Sequence, residues 1–122
     1  MPERGELSVV RCVCAADIGE VVNPLGAEAQ FMGGTICGLS AALNLQITVK
    51  EGRIEQSNFP DYPLLRMAGA PDVEVFLLDS PFTPVGAGEM GIPPVAPALA
   101  NAIFAATGKR LRRLPLGAQL KT

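Results

Sequence analysis

The chain has 122 residues, enough for one domain with a real core. Apolar residues make up 48% and charged residues 18%, a balance that excludes intrinsic disorder. The formal charge of −2 argues against a nucleic-acid binder or a basic membrane-surface protein, and the absence of histidine removes the commonest general base and metal ligand.

The first six residues, MPERGE, are charged and lack the apolar run of a signal peptide. Residues 7–16, LSVVRCVCAA, are rich in Val and Cys and predict a strand that runs into a turn at 17–20. Asn23-Pro24 then pairs a favoured N-cap with a favoured first helical residue. Leu25, Ala29, Met32, Ile36, Leu39 and Leu43 recur at steps of three or four and predict the buried stripe of a long helix. That helix also holds Gly26, Gly33, Gly34 and Gly38, each costing about 1 kcal/mol against Ala. Close packing on a sheet and close approach of a ligand or another backbone are both open as the reason.

Residues 45–50 and 53–58 predict a hairpin closed by Glu51-Gly52. Residues 72–79, DVEVFLLD, put Val73, Val75 and Leu77 on one face and Phe76 and Leu78 on the other, the pattern of a central strand. A loop of unusual composition fills 80–94. A second helix is predicted over 94–107, with Val95, Leu99, Ile103 and Ala106 buried and Gly108 just past its end. Residues 111–116 predict an edge strand. The order strand, helix, hairpin, strand, helix, tail predicts an α+β fold occupying 1–122 as a single domain. It has two layers, a mainly antiparallel sheet with two helices on one face.

Three cysteines, Cys12, Cys14 and Cys37, do not form a disulfide framework. Cys12 and Cys14 share one strand face, and without histidine they fall short of a four-ligand metal site, so buried reduced thiols are expected. Residues 90–108 carry no charged side chain, but three prolines in the first half argue against a membrane span.

The loop around Glu89, Gly86-Ala87-Gly88-Glu89-Met90-Gly91, holds the one ionisable group between Asp79 and Lys109. Its glycines permit close approach of a ligand. A carboxylate in a dry pocket would be poised as a general base, whereas a solvated one would be an ordinary loop residue. Gln30 has an amide that can donate and accept, and Gly33 and Gly34 lie beside it on one helical face, a ledge with little side-chain bulk.

The stretch Asn23-Pro24-Leu25, Gln30-Phe31-Met32-Gly33-Gly34 and Gly38-Leu39 resembles part of a known enzyme family. So do Asn58-Phe59-Pro60-Asp61-Tyr62, Gly86-Ala87-Gly88-Glu89 and the run from Pro93 to Ile103. The resemblance is to the molybdenum-cofactor-binding large subunit of the xanthine dehydrogenase/aldehyde oxidase family, within it most of all to the isoquinoline 1-oxidoreductase beta-subunit group. It covers nearly the whole chain after the first ten residues.

The resemblance implies an oxidoreductase, a hydroxylase of aldehydes or aromatic N-heterocycles with water as the oxygen source. It implies molybdopterin, in the cytosine dinucleotide form, with its molybdenum. Glu89 matches the family's catalytic base, and Gln30, with Gly33, Gly34 and Gly88, matches the cofactor side. The large subunits of the family are several times longer, and their upstream cofactor segments and the iron–sulfur cysteines have no counterpart here. The chain is therefore expected to be a C-terminal fragment, inactive and without cofactor alone. Its expected partners are the remainder of the molybdenum-binding subunit and a small [2Fe-2S] subunit. The alternative is a non-catalytic truncated domain that self-associates as a homo-oligomer through the docking surface. Cytoplasm is the default compartment, and a periplasmic full enzyme is compatible with the sequence.

Overall fold

A computed structural model describes residues 7–120. β1 is Arg11–Ala16, α1 is Pro24–Asn44, β2 is Val49–Lys50, β3 is Arg53–Ile54, β4 is Asp72–Leu77 and α2 is Val95–Thr107. Short 3-10 turns occupy Phe59–Asp61, Met67–Gly69 and Gly117–Gln119.

The local signals at the helix ends hold. Asn23 Oδ1 accepts from the Gly26 N–H at 3.0 Å, and Pro24 takes the first helical position, where no N–H is needed. α2 ends at Gly108, whose φ of 72° is the left-handed conformation that glycine adopts without strain. Residues 51 and 52 turn the hairpin with φ of 50° and 75°, the geometry of a tight primed turn.

The expected mainly antiparallel, two-layer sheet is not what forms. β1 pairs with β4 in parallel, from Arg11 opposite Asp72 to Ala16 opposite Leu77. The long α1 between β1 and the later segments provides the crossover that parallel pairing requires. β2 and β3 pair antiparallel as a separate two-residue-per-strand hairpin that does not join β1 and β4. Its strand residues are exposed, so no burial extends the ladder over the whole of 45–58. The N-terminal strand begins at Arg11, and residues 7–10 are outside it. The expected edge strand at 111–116 is also absent. Instead Leu116 is 1% exposed, its N–H donates to the Ala42 carbonyl at 2.8 Å, and the chain caps the end of α1.

Alternation along the parallel pair decides its inner face. Cys12, Cys14 and Ala16 are half-buried, matching Val73, Val75 and Leu77 opposite them. One core cluster joins this face to the first half of α1 through Ile18, Ala27 and Phe31. A second joins the end of α1 to α2 through Leu39, Ala42, Val95, Leu99, Ile103 and Leu116. On α2 the predicted stripe is buried at Val95, Leu99 and Ile103, while Ala106 is exposed.

The inward face of α1 is rotated from the expected stripe. Its buried residues are Ala27, Phe31, Gly34, Thr35, Gly38, Leu39, Ser40 and Ala42. Leu25 is 79% and Met32 44% exposed. The reason is steric. A Cβ on Gly38 would stand 2.9 Å from the Ile92 carbonyl oxygen and the Val95 side chain, so only this small-residue face lets 91–95 reach the helix backbone. Close packing over a large area outweighs the apolar character of the other face.

The linker to β4 is also tied to α1. Ser40 Oγ donates to Ile36 O and accepts the Leu65 N–H, each at 3.0 Å, and Asn44 Nδ2 donates to Pro63 O at 3.0 Å. Before it, Asp61 Oδ2 accepts the N–H groups of Ser57 at 2.7 Å and Asn58 at 3.1 Å. Those backbone donors hold the Asp61 carboxyl below its ordinary range. The Asn58-Phe59-Pro60-Asp61 stretch is thus a self-contained capped turn.

The glycines of α1 separate in a stability measurement. Gly38→Ala overpacks the helix against Ile92 and Val95 and is expected to cost about 1–3 kcal/mol. Gly33→Ala meets nothing within 4 Å and is expected to stabilise by up to about 1 kcal/mol through helix propensity. Urea unfolding of both variants checks the sign of each.

Candidate active-site wall

The loop carrying Glu89 is anchored at both ends. At its start, the turn after β1 holds it: Glu20 N–H donates to the Phe82 carbonyl at 2.8 Å and Val85 N–H to the Ile18 carbonyl at 3.1 Å. Gly19 makes this approach possible. Its φ is 73°, and a Cβ there would stand 2.4 Å from the Thr83 carbonyl oxygen. At its end, Ile92 N–H donates to the Glu89 carbonyl at 3.0 Å, closing a turn that rests on α1. A Cβ on Gly91 would stand 3.1 Å from the Phe31 carbonyl oxygen, and one on Gly34 would stand 3.4 Å from Gly91 Cα.

This contact unites the two candidate regions. Gln30 directly precedes Phe31, and Glu89 lies two residues before Gly91, so segments nearly sixty residues apart meet across one backbone-to-backbone contact. Gln30, Gly33, Gly88 and Glu89 are all exposed, whereas Gly34 is buried beneath the turn. Of the two readings left open for Glu89, a dry pocket and a solvated loop, this chain by itself forms the solvated one. The small residues on both sides leave the carboxylate open to solvent, and nothing in the described residues covers it.

Gly19 and Gly91 are positioning residues that the sequence pattern does not single out. The Asp17-x-Gly19 turn is legible as a turn, with Asp17 Oδ1 accepting the Gly19 N–H at 3.1 Å. Its role in holding a loop more than sixty residues away is not.

The residues present leave room for an organic cofactor. No atom lies within 4 Å of a Cβ placed on Gly33 or Gly88, and the Gln30 amide stands one helical turn from Gly33. Among the described residues no cluster of three or more His, Cys, Asp or Glu could hold a metal ion directly. The wall itself offers an amide, a carboxylate, backbone and open space.

Comparison with known proteins agrees with that donor set. Residues 1–71 match the family model for the molybdopterin cofactor-binding domain. The chain belongs to this family. It is 43% identical over 110 residues to the beta subunit of isoquinoline 1-oxidoreductase from Brevundimonas diminuta, a match that spans 90% of this chain and 14% of that protein. It is 38% identical over 116 residues to a subunit of nicotinate dehydrogenase from Pseudomonas putida, covering 94% of this chain and 10% of that protein. In the solved Cu,Mo-CO dehydrogenase, a fold match with TM-score 0.76 and 22% identity covers 96% of this chain and 17% of that one. Quinoline 2-oxidoreductase from Pseudomonas putida 86 matches with TM-score 0.76 and 22% identity over 89% of this chain and 15% of its own. The chain thus spans about a seventh or less of the length of these curated relatives. Several of the relatives are named as molybdenum-binding subunits, and this chain corresponds to a small part of each. Among the described residues no helix is long and apolar enough to cross a membrane.

The Gly91–Phe31 contact is testable without any cofactor. Gly91→Ala forces the turn away from α1, so cleavage after Glu89 by a glutamate-specific protease is expected to accelerate about tenfold, as local opening becomes easier by roughly 1.4 kcal/mol. An unchanged cleavage rate counts against the anchoring role of this contact.

Proposed function

We propose that this chain forms one wall of the active site of a molybdenum hydroxylase, an oxidoreductase that inserts a water-derived oxygen into its substrate. It acts only when assembled with the rest of the molybdenum-binding subunit. The observation that carries this reading is the docking of the turn after Glu89 on α1, where Gly91 packs against Phe31 and Gly34, the chain neighbours of Gln30 and Gly33. This supports the reading that an exposed carboxylate, an exposed amide and two exposed glycines act on one side of the site.

In this reading Gln30 binds the cofactor through its amide, and Gly33 and Gly88 leave room for it. Gly34 contributes by admitting the Gly91 turn to the helix. When bound, the molybdopterin supplies the redox centre and the site of oxygen transfer. Its cytosine dinucleotide form is proposed from the resemblance to the bacterial members of the family. Glu89 is the general base: its carboxylate takes the proton from the attacking oxygen nucleophile. Exposed in this chain, Glu89 would face the substrate once the remaining polypeptide closes the site.

Aromatic N-heterocycles are the proposed substrate class, supported by the names of the isoquinoline and nicotinate relatives; aldehydes are the other class in the same set of relatives. A [2Fe-2S] subunit is the proposed electron-accepting partner, in keeping with relatives that are named as subunits.

In the assembled enzyme, Glu89→Gln is expected to lower turnover by about a hundredfold to ten-thousandfold while molybdenum content stays at the parental level. Metal analysis and steady-state kinetics on the same preparation test this. A variant that hydroxylates at the normal rate removes Glu89 from the base role.

One observation favours a second reading, a non-catalytic domain that self-associates. Val13 and Phe76 on the outer face of the β1–β4 pair are 50% and 55% exposed, and Leu78 beyond them is 51% exposed. Parallel strands are ordinarily covered on both faces. Light scattering of the purified chain is expected to show oligomers, and a strictly monomeric, soluble chain counts against this reading.

A further inference from the structure

Cys12 and Cys14 take no part in the site described above. They stand two apart on β1 and share its inner, half-buried face. Both are free thiols. Cys14 Sγ lies 3.3 Å from Thr35 Oγ1, on a fully buried residue of α1, which orients this thiol toward the helix. Both cysteines line a partly open cavity of about 350 Å³ between β1 and the 90–98 segment, with Phe31, Met90 and Val95 also on its lining. The two cysteines thus share one largely apolar recess.

Their spacing suits a bridging ion better than a disulfide. Two steps along a strand set parallel side chains about 6.6 Å apart at their Cβ atoms, well beyond the Cβ separation of about 3.5–4.5 Å that an S–S bond needs. A metal bonded to both sulfurs lets them stand up to about 4.6 Å apart, twice a bond of about 2.3 Å. Zinc would need four ligands, and no third Cys, His, Asp or Glu joins the pair among the described residues. Thiolate and thioether sulfur select soft ions such as Cu(I), and Met90 on the same cavity offers a thioether.

We propose that Cys12 and Cys14, with Met90 as a third sulfur, form a binding site for one soft monovalent cation of the Cu(I) class. Each thiol gives its proton to solvent as its sulfur bonds the ion, and the ion's oxidation state does not change. This site is independent of the role assigned to Glu89.

The test uses the full chain, kept reduced and free of oxygen, with Cu(I) delivered in competition with a chromogenic chelator. One Cu(I) per chain is expected. Cys12→Ser or Cys14→Ser is expected to weaken binding about a hundredfold or more, and Met90→Leu about tenfold. Cys37→Ser, at an exposed thiol, is expected to leave binding unchanged. On the unmodified chain, Cu(I) is expected to protect Cys12 and Cys14 from iodoacetamide while Cys37 still labels, as read by mass spectrometry. The proposal is overturned if the double serine variant binds as tightly as the parent, or if Cu(I) leaves the labelling of Cys12 and Cys14 unchanged. A Met90→Leu variant of parental affinity overturns the third-ligand assignment. The labelling arm decides the matter even where a serine variant fails to fold.

Discussion

The contact between the small-residue face of α1 and the 91–95 segment is the constraint on which the rest depends. Gly34 and Gly38 remove side chains where Gly91, Ile92 and Val95 pass, so two backbones meet without intervening bulk. The contact fixes where α2 begins and so sets the second core, through Val95, Leu99 and Ile103 against Leu39 and Ala42. It also fixes the turn that carries Glu89. Helix propensity is sacrificed at these glycines, and the close packing offsets that loss.

The same contact explains why the chain exposes so much apolar surface. With the glycine face turned inward, Leu25 and Met32 are left outside, and the outer side of the parallel pair leaves Val13 and Phe76 in solvent. Phe59, at 83% exposed, stands on a turn that is otherwise satisfied by its own hydrogen bonds. These surfaces are large apolar side chains on well-formed elements, the pattern of faces that other polypeptide covers. The exposure of Glu89 belongs to the same pattern. One wall of a site can position a carboxylate, but excluding water from it takes a second wall.

Much of the local structure is legible in the sequence because it depends on single residues. Asn23 and Pro24 mark the start of α1, Gly108 marks the end of α2, and Glu51-Gly52 marks the hairpin turn. The alternation of Val73, Val75 and Leu77 identifies the inner face of β4 correctly. The Gln30 and Glu89 regions are legible as motifs of one family, and their proximity follows from no local signal. The misplaced stripe on α1 has an instructive cause. Periodicity ranks faces by apolarity, whereas the fold ranks them by how closely a neighbour can approach.

The sequence by itself determined where the first helix begins and the second ends, which residues alternate along the strands, and to which family the chain belongs. Those features rest on backbone preferences and side-chain chemistry that act within a few residues. Only the tertiary structure decided that β1 and β4 run parallel, that the hairpin stands apart, and that Leu116 seals the end of α1 in place of an edge strand. It alone decided that α1 turns its glycines inward and that Glu89 lies open on the surface. Each of these depends on atoms brought together from distant parts of the chain, where the clearance left by a missing Cβ outweighs the pattern of its neighbours.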